Sequence, residues 1–298
     1  MIKQTQQRPY KQSASRASIR IQAPAKINLC LDILSSYPSG YHEIRTVFHE
    51  LPNLADELEI YKSKEPDHTS GPFPAAGEGT QGLTKQAPEG RRSSPAEGLL
   101  ISQKDNLAHK ALKLLKKDQN ITTNAKIIIH KRIPIASGLG GASSDAAAVL
   151  KGLNELWGLN LSTDALLNLA SQLGADVPFF ILGGTALGEH YGEKLTPLKY
   201  INCIKFEIDK PKKRSKTLGY PKVINDSSNM SKTAKMYASL DLSLCGKNTE
   251  KTKLLLEGIE NEDPQLITKN LHNDFETITP PPKNYHLTGS GPSTFQAI

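Results

Sequence analysis

The chain has 298 residues, of which 37% are hydrophobic and 22% charged, so it can bury a globular core and form two domains. Its apolar runs are shorter than the roughly 18 residues of a membrane-spanning helix, and its three scattered cysteines indicate neither a disulfide framework nor a zinc site. The net charge of +7 suits a polyphosphate substrate, and no basic module with interleaved aromatic residues favours nucleic acid.

The first 18 residues contain no acidic residue and no hydrophobic segment of the kind that secretory signals carry. We therefore predict a disordered tail at 1–18, with a short organelle-targeting segment as the alternative. The cysteine pattern fits a reducing compartment. A bacterial cytoplasm is expected in preference to import into a plastid.

The chain then alternates like a β-strand from 19 to 33, and two more strand-like runs follow, one ending at residue 51 and one at 58–61. From 62 to 98 many Pro, Gly, Ser and Thr residues replace this pattern. Such a segment buries too little apolar surface to offset the entropy of ordering it, so we predict a long mobile insertion at 62–98. A helix with one apolar face is predicted after Asn106.

A glycine-rich loop, Pro-Ile-Ala-Ser-Gly-Leu-Gly-Gly-Ala-Ser-Ser, occupies 134–144 and follows a short apolar strand. Ser143, Ser144 and Asp145 offer capping side chains to the alanine-rich helix that follows. Bare glycines let the main chain approach an anion, and a helix N-terminus favours phosphate. The loop does not end in the Gly-Lys-Ser/Thr of a Walker motif, and it lacks the downstream acidic residue of a dinucleotide-binding fold. A plain flexible turn is the alternative. The predicted phosphate cradle consists of Pro134, Ala136, Ser137, Gly138, Leu139, Gly140, Gly141, Ala142, Ser143 and Ser144.

A third helix is predicted from Ser162 to Leu173, followed by Gly-Ala-Asp-Val-Pro at 174–178. Because Pro178 disfavours a helical Val177, we expect Asp176 at a corner between a helix and a strand. A strand at 201–208 opens the second predicted domain. The remaining predicted elements are helices near 232–242, 251–259 and 264–275, and a strand, glycine turn and strand at 285–295.

Three separated motifs carry a family resemblance: Pro-Ala-Lys-Ile-Asn-Leu at 24–29, the glycine loop, and Leu-Thr-Gly-Ser-Gly-Pro-Ser at 287–293. With Gly-Tyr-His-Glu at 40–43 and the motif at 174–178, they resemble the 4-diphosphocytidyl-2-C-methyl-D-erythritol kinases of the GHMP kinase superfamily. The resemblance covers most of 19–200 and recurs at 271–295.

The resemblance implies an α+β fold with two domains. The first, 19–199, is expected to be a ribosomal-protein-S5-like βαβ domain that binds ATP, and the second, 200–298, a ferredoxin-like domain. Relatives usually continue through another helix and strand after the third motif. We therefore expect the second domain to be truncated, and the insertion at 62–98 to be longer than in the family.

The resemblance also implies transfer of the γ-phosphate of ATP, with Mg²⁺, to the 2-hydroxyl of a cytidine-diphosphate-linked methylerythritol in the non-mevalonate isoprenoid pathway. A tertiary alcohol is a weak nucleophile, so a positioned carboxylate should accept its proton. Asp176 matches the family's base, with helix capping as its alternative role. Lys26 matches the family's lysine, which stabilises the developing charge. The glycine loop is expected to bind ATP, and Ser144 is a candidate metal ligand.

The expected substrate contacts come from the same resemblance. Tyr41 would stack on cytosine, His42 would hydrogen-bond its polar edge, and Asn28 would contact the polyol. The further substrate-binding residues are Thr217, Tyr220, Gly289, Ser290 and Gly291.

Three other functions are left open by the sequence. They are a sibling kinase of the homoserine or mevalonate type, a basic RNA-binding protein of similar fold, and a nucleotide-binding regulator without catalysis. The RNA-binding alternative would show steep salt dependence. The expected partner is the small-molecule substrate, without nucleic acid or membrane, and the expected state is a monomer or weak homodimer.

Overall fold

The computed structural model describes residues 18–38, 40–64, 66–70, 106–209 and 232–298. The described strands are β1 (Ser18–Ser36), β2 (His42–Ser63), β3 (His68–Ser70), β4 (Asn124–His130), β5 (Thr185–His190), β6 (Lys194–Leu198), β7 (Phe206–Asp209), β8 (His272–Asn273), β9 (His286–Leu287) and β10 (Thr294–Ala297). The described helices are α1 (Leu107–Asp118), α2 (Gly141–Trp157), α3 (Thr163–Ser171), α4 (Val177–Leu182), α5 (Lys232–Ala238), α6 (Thr249–Asn261) and α7 (Pro264–Lys269). The predicted tail up to residue 17, and Thr217 and Tyr220, lie outside the described residues, and the domain limits stay predictions.

Two sheets organise the described part of the chain. The larger has seven strands, in the order β3-β4-β2-β1-β8, with β5 paired to β2 and β6 paired to β5. Its centre is the long antiparallel pair of β1 and β2. One end of β2 pairs with β4 and the other with β5. The smaller sheet is antiparallel, in the order β7-β10-β9. Within the described ranges, no helix is both long and apolar enough to cross a bilayer.

Strand β1 is covered on both of its faces. Helices α1 to α4 pack against one side of the sheet, in a core that contains Phe48, Leu58 and Ile60. Alternate residues of β1, Ala25, Ile27 and Leu29, belong to a second core with residues of α6 and α7. Because side chains alternate along a strand, Lys26 and Asn28 face the opposite side from this second core.

The start of the predicted mobile insertion is ordered. Strand β2 continues to Ser63, and β3 pairs in parallel with β4. Asp67 accepts hydrogen bonds from Lys116 Nζ at 2.6 Å and from the main-chain N–H of Ala125 at 2.9 Å. The prediction was therefore wrong for residues 62–64 and 66–70, because main-chain pairing and the hydrogen bonds of Asp67 order this stretch. Residues 71–98 lie outside the described residues.

A buried polar cluster ties the C-terminal region to β1. Asp32 accepts from the Thr252 hydroxyl and lies 3.0 Å from His272 Nε2. The Sγ of Cys30 and the ligand atoms of Asp32 and His272 lie within 4.8 Å of one another, a set that could hold a metal. The direct bond between carboxylate and imidazole already satisfies both groups, and burial raises the pKa of the Cys30 thiol to about 12, which keeps it protonated. We interpret this cluster as a set of structural hydrogen bonds that holds β1, β8 and α6 together.

Candidate active site

Strand β1 is irregular where it carries the first predicted site residues. Its register against β2 shifts between Pro24 and Ala25 and again between Asn28 and Cys30. Such bulges are common beside active sites, where they redirect side chains. Lys26 lies between the two shifts and is only 3% exposed.

The Lys26 ammonium is held by three neighbours. Its Nζ donates to Asn28 Oδ1 at 2.6 Å, lies 3.7 Å from Asp176 Oδ2, and is 5.4 Å from the centre of the Phe48 ring. Burial lowers the pKa of Lys26, and the nearby Asp176 carboxylate opposes that shift. The sequence-predicted pair of lysine and carboxylate is therefore brought together.

Asp176 precedes α4, and the predicted strand after it is wrong. Residues Val177–Leu182 are helical, because Pro178 lies in the first turn, where its missing N–H costs no intrahelical hydrogen bond. The Asp176 side chain makes no capping hydrogen bond, and 39% of it is exposed. The carboxylate thus remains accessible to a ligand and does not cap the helix.

The glycine loop enters α2 earlier than predicted. Gly140, with φ +74°, is the N-cap, and the helix begins at Gly141 without a side-chain cap. The capping prediction was wrong for Ser143, Ser144 and Asp145, which lie inside the helix. Among the described residues, no side chain caps the N-terminus of α2, as an anion site requires.

The loop lies directly against Lys26. The main-chain N–H of Lys26 donates to the Leu139 carbonyl at 3.0 Å. A Cβ on Gly140 would lie 2.7 Å from the Phe180 ring and 3.1 Å from Lys26 Cγ. A side chain at Gly140 would therefore push the phosphate cradle away from the lysine.

The other predicted cradle residues differ in what they can offer a ligand. Leu139 and Ser137 are buried, and Ser137 Oγ accepts from the Leu139 N–H at 3.3 Å, so both shape the loop. Ser144 is 1% exposed, and its Oγ has no hydrogen-bond partner among the described residues. The remaining predicted residues are half-buried or exposed, namely Pro134, Ala136, Gly138, Gly141, Ala142 and Ser143.

A buried ionic triad braces the entry to the loop. Lys131 Nζ donates to Asp56 and, at 2.8 Å, to Asp145 Oδ2, and Asp56 also accepts from the Ile133 N–H at 2.8 Å. One ammonium serves two carboxylates. Burial, with a contribution from the Asp56 charge, raises the pKa of Asp145 to about 7 against the opposing effect of Lys131.

The third motif closes over the loop. The N–H of Ser293 donates to the Ser137 carbonyl at 3.1 Å, and Thr288 Oγ1 donates to the Gly138 carbonyl at 3.3 Å. A Cβ on Gly291 would overlap the main chain of the loop, and one on Gly289 would lie 3.4 Å from Lys26 Nζ. Ser290, also in this turn, is half-buried.

An aromatic cluster lies near the β1–β2 turn. Tyr41 is 65% exposed, with its ring centre 5.3 Å from that of Tyr191. The His42 ring stacks on the ring of Tyr237 in α5, with 4.8 Å between the ring centres. Burial lowers the pKa of His42. Burial, and then the charge of Asp176, raises the pKa of Tyr237.

Sequence reasoning missed Tyr191, Tyr237 and the buried Thr46, which accepts a hydrogen bond from Asn28. Tyr191 lies in a turn between β5 and β6, and no local pattern relates it to Tyr41. Tyr237 lies in a short helix far along the chain. Thr46 could have been suspected from its pairing position on β2 opposite β1, but only once the register was known.

The geometry supports phosphoryl transfer chemistry. An uncapped helix N-terminus and bare glycines form an anion cradle next to a buried ammonium and an accessible carboxylate. The cradle favours phosphate, the ammonium stabilises negative charge, and the carboxylate can accept a proton.

Comparison with known proteins gives a consistent result. The family model described as GHMP kinases N terminal domain matches residues 106–184. The 4-diphosphocytidyl-2-C-methyl-D-erythritol kinase of Caldicellulosiruptor saccharolyticus is 35% identical over 291 residues, which are 92% of this chain and 86% of the relative. The enzyme of that name from Exiguobacterium sibiricum is 32% identical over 294 residues, or 93% and 88%.

A solved structure agrees with these relatives. The crystal structure of a 4-(cytidine 5'-diphospho)-2C-methyl-D-erythritol kinase superposes with a TM-score of 0.65 at 26% identity, covering 93% of this chain and 89% of that chain. The fold class and the resemblance predicted from the sequence motifs are confirmed. The chain belongs to the 4-diphosphocytidyl-2-C-methyl-D-erythritol kinase family of the GHMP kinases.

Proposed function

We propose that this chain catalyses the ATP-dependent phosphorylation of the 2-hydroxyl of 4-diphosphocytidyl-2-C-methyl-D-erythritol in the non-mevalonate isoprenoid pathway. The observation that carries the proposal is the pair of Lys26 Nζ and Asp176 Oδ2, 3.7 Å apart and beside the glycine cradle. The names of the relatives support this choice of substrate, and the geometry supports the residues proposed to act on it.

In the proposed reaction Asp176 accepts the hydroxyl proton while the substrate oxygen forms its bond to the γ-phosphorus. The bond from this phosphorus to the bridging oxygen breaks, and ADP leaves with the electron pair. Lys26 stabilises the negative charge on the transferred group. The proton leaves Asp176 through the exposed side of the carboxylate, which returns the base to its starting form.

The cradle of 134–144 holds the ATP phosphates through main-chain N–H groups and the dipole of α2. Mg²⁺ is a hard cation that prefers oxygen ligands, and when bound it neutralises phosphate charge. The buried, unpartnered hydroxyl of Ser144 fits a role as one of these ligands or as a phosphate contact.

The cytidine end of the substrate fits the aromatic cluster. Tyr41 offers an exposed ring for stacking on the base, and Tyr191 supports it. His42 is neutral at physiological pH, since burial lowers its pKa, and can hydrogen-bond a base edge. Asn28 was predicted to contact the polyol. Its amide bonds Lys26 and Thr46, so in this proposal it acts mainly by orienting the lysine.

A coupled ADP-release assay tests the proposal. We expect ATP-dependent ADP release with 4-diphosphocytidyl-2-C-methyl-D-erythritol and competition by CMP, which shares its nucleobase. Homoserine, mevalonate and galactose serve as controls, because sibling kinases act on them. Faster turnover of one of these controls, or no effect of CMP, would contradict the assigned substrate.

A further inference from the structure

A chain of buried hydrogen bonds leads from Lys26 into the sheet. Lys26 Nζ donates to Asn28 Oδ1 at 2.6 Å, and Asn28 Nδ2 donates to Thr46 Oγ1 at 2.8 Å. The Thr46 hydroxyl in turn donates to the carbonyl oxygen of Cys30 at 2.6 Å. An ammonium only donates and a carbonyl only accepts, so the direction of every bond is fixed. Thr46 is fully buried, and the chain is therefore shielded from solvent.

We propose that Thr46 is a positioning residue for phosphoryl transfer, an inference that rests on the proposed function. Its hydroxyl is the acceptor that makes Asn28 turn its amide nitrogen inward and its oxygen toward Lys26. When the Thr46 hydroxyl is removed, the buried amide nitrogen of Asn28 has no acceptor for its hydrogen bond. A rotation of the amide would then turn its NH₂ toward the Lys26 ammonium, so that two donors face each other.

The position of Asn28 decides where the ammonium lies. Lys26 Nζ is 2.6 Å from the Asn28 oxygen but 3.7 Å from Asp176 Oδ2. The hydrogen bond to the amide thus keeps the ammonium of Lys26 out of hydrogen-bond contact with the Asp176 carboxylate. A substrate hydroxyl can then contact both groups. When the amide no longer accepts from it, Lys26 moves onto Asp176, because opposite charges attract strongly in a poorly solvated site. The base is then occupied by the lysine.

Thr46→Val tests this inference, since it removes the hydroxyl and keeps the shape. We expect kcat to fall about 10- to 100-fold, the usual effect of an unpaired buried amide and a displaced catalytic group, with both KM values within about twofold of the parent. Thr46→Ser keeps the hydroxyl and should restore turnover. If Thr46→Val does not fold, Thr46→Ala removes the same acceptor with less crowding.

Two comparisons separate positioning from general damage. Thr185→Val removes another buried threonine hydroxyl of the same sheet, bonded to His49 at 2.8 Å and not to Lys26, Asn28 or Asp176, and should leave kcat unchanged. In an Asn28→Ala background, Thr46→Val should add less than about twofold, because Thr46 acts through Asn28. Full additivity, or equal losses in Thr185→Val and Thr46→Val, would overturn the inference.

A readout that needs no turnover distinguishes this inference from the proposed function. In protein carrying ¹³C-lysine, the ε-carbon resonance of Lys26, assigned with Lys26→Arg, should shift in Thr46→Val and stay in place in Thr46→Ser. An unchanged resonance in Thr46→Val would refute the positioning role even in an active kinase. A shifted resonance in a protein without kinase activity would instead refute the proposed function.

Discussion

Gly138 lies where the glycine loop contacts the third motif, and replacing it with alanine perturbs both. Its φ is +84°, a value that L-residues with side chains rarely adopt. The added Cβ would overlap the carbonyl oxygen of Thr288 and lie 2.9 Å from Cα and 3.0 Å from N of Gly291. These are main-chain atoms, so no side-chain rotation relieves the clash.

The expected cost of Gly138→Ala has two parts. The left-handed backbone costs an alanine about 1–2 kcal/mol. Overpacking adds about 1–3 kcal/mol, because the two loops must separate. The same separation moves the turn at Gly289 away from Lys26. A displacement of about 1 Å at a reacting centre costs about 100-fold in rate, so we expect kcat to fall by this order.

Urea unfolding and steady-state kinetics measure the two effects, and Gly158→Ala is the matched control. Gly158 has φ +67°, and a Cβ there would meet nothing within 4 Å. The control should therefore lose only the backbone contribution and keep full turnover. If Gly138→Ala loses no more stability than Gly158→Ala and keeps its kcat, the packing of the two loops is not as described.

Two further predictions concern the base site and the ionic triad. Tyr41→Ala should raise KM for the cytidine substrate by about 5- to 100-fold, the usual effect of losing a stacking ring, without changing KM for ATP. Tyr61→Ala is its control, and an equal effect on ATP would contradict stacking. The raised pKa of Asp145 means that the folded state holds this proton more tightly than the unfolded state, so its contribution to stability falls as pH rises from about 4 to 7. The stability of Asp145→Asn relative to the parent should therefore increase between pH 5 and pH 7.5, by about 1–3 kcal/mol. Urea unfolding of both proteins at the two pH values measures this increase. The buried His49, whose pKa is lowered to about 4, makes the folded state more stable as pH rises through the same range. The test is therefore the difference in unfolding free energy between Asp145→Asn and the parent, in which the effect of His49 cancels. A difference that stays constant with pH would contradict the raised pKa of Asp145.

The candidate site could be predicted from the sequence where the proposed chemistry demands particular residue types at fixed places. Lys26, Asp176 and the glycines have few substitutes in the roles proposed for them, and their motifs are recognisable although they are far apart in the chain. Most strands and helices were also visible, since the apolar period of β1 and α1 reflects burial on particular faces.

Other features depend on contacts that no local pattern records. Pro178 was read as a helix breaker, and only the surrounding fold shows that it occupies a first turn. Residues 66–70 looked unstructured by composition but gain order from pairing with β4. Tyr237 and Thr46 matter because of what lies across the sheet or the cleft from them, and such neighbours are set by register and packing.

In the proposed reaction Asp176 takes the hydroxyl proton beside Lys26, and the turnover of Asp176→Asn tests this role. We expect kcat to fall about 10²–10⁴-fold with ATP affinity and melting temperature preserved, because asparagine keeps the shape but cannot accept the proton. Asp164→Asn, at the exposed start of α3, should leave kcat unchanged. An Asp176→Asn enzyme that turns over at the parent rate would contradict the claim.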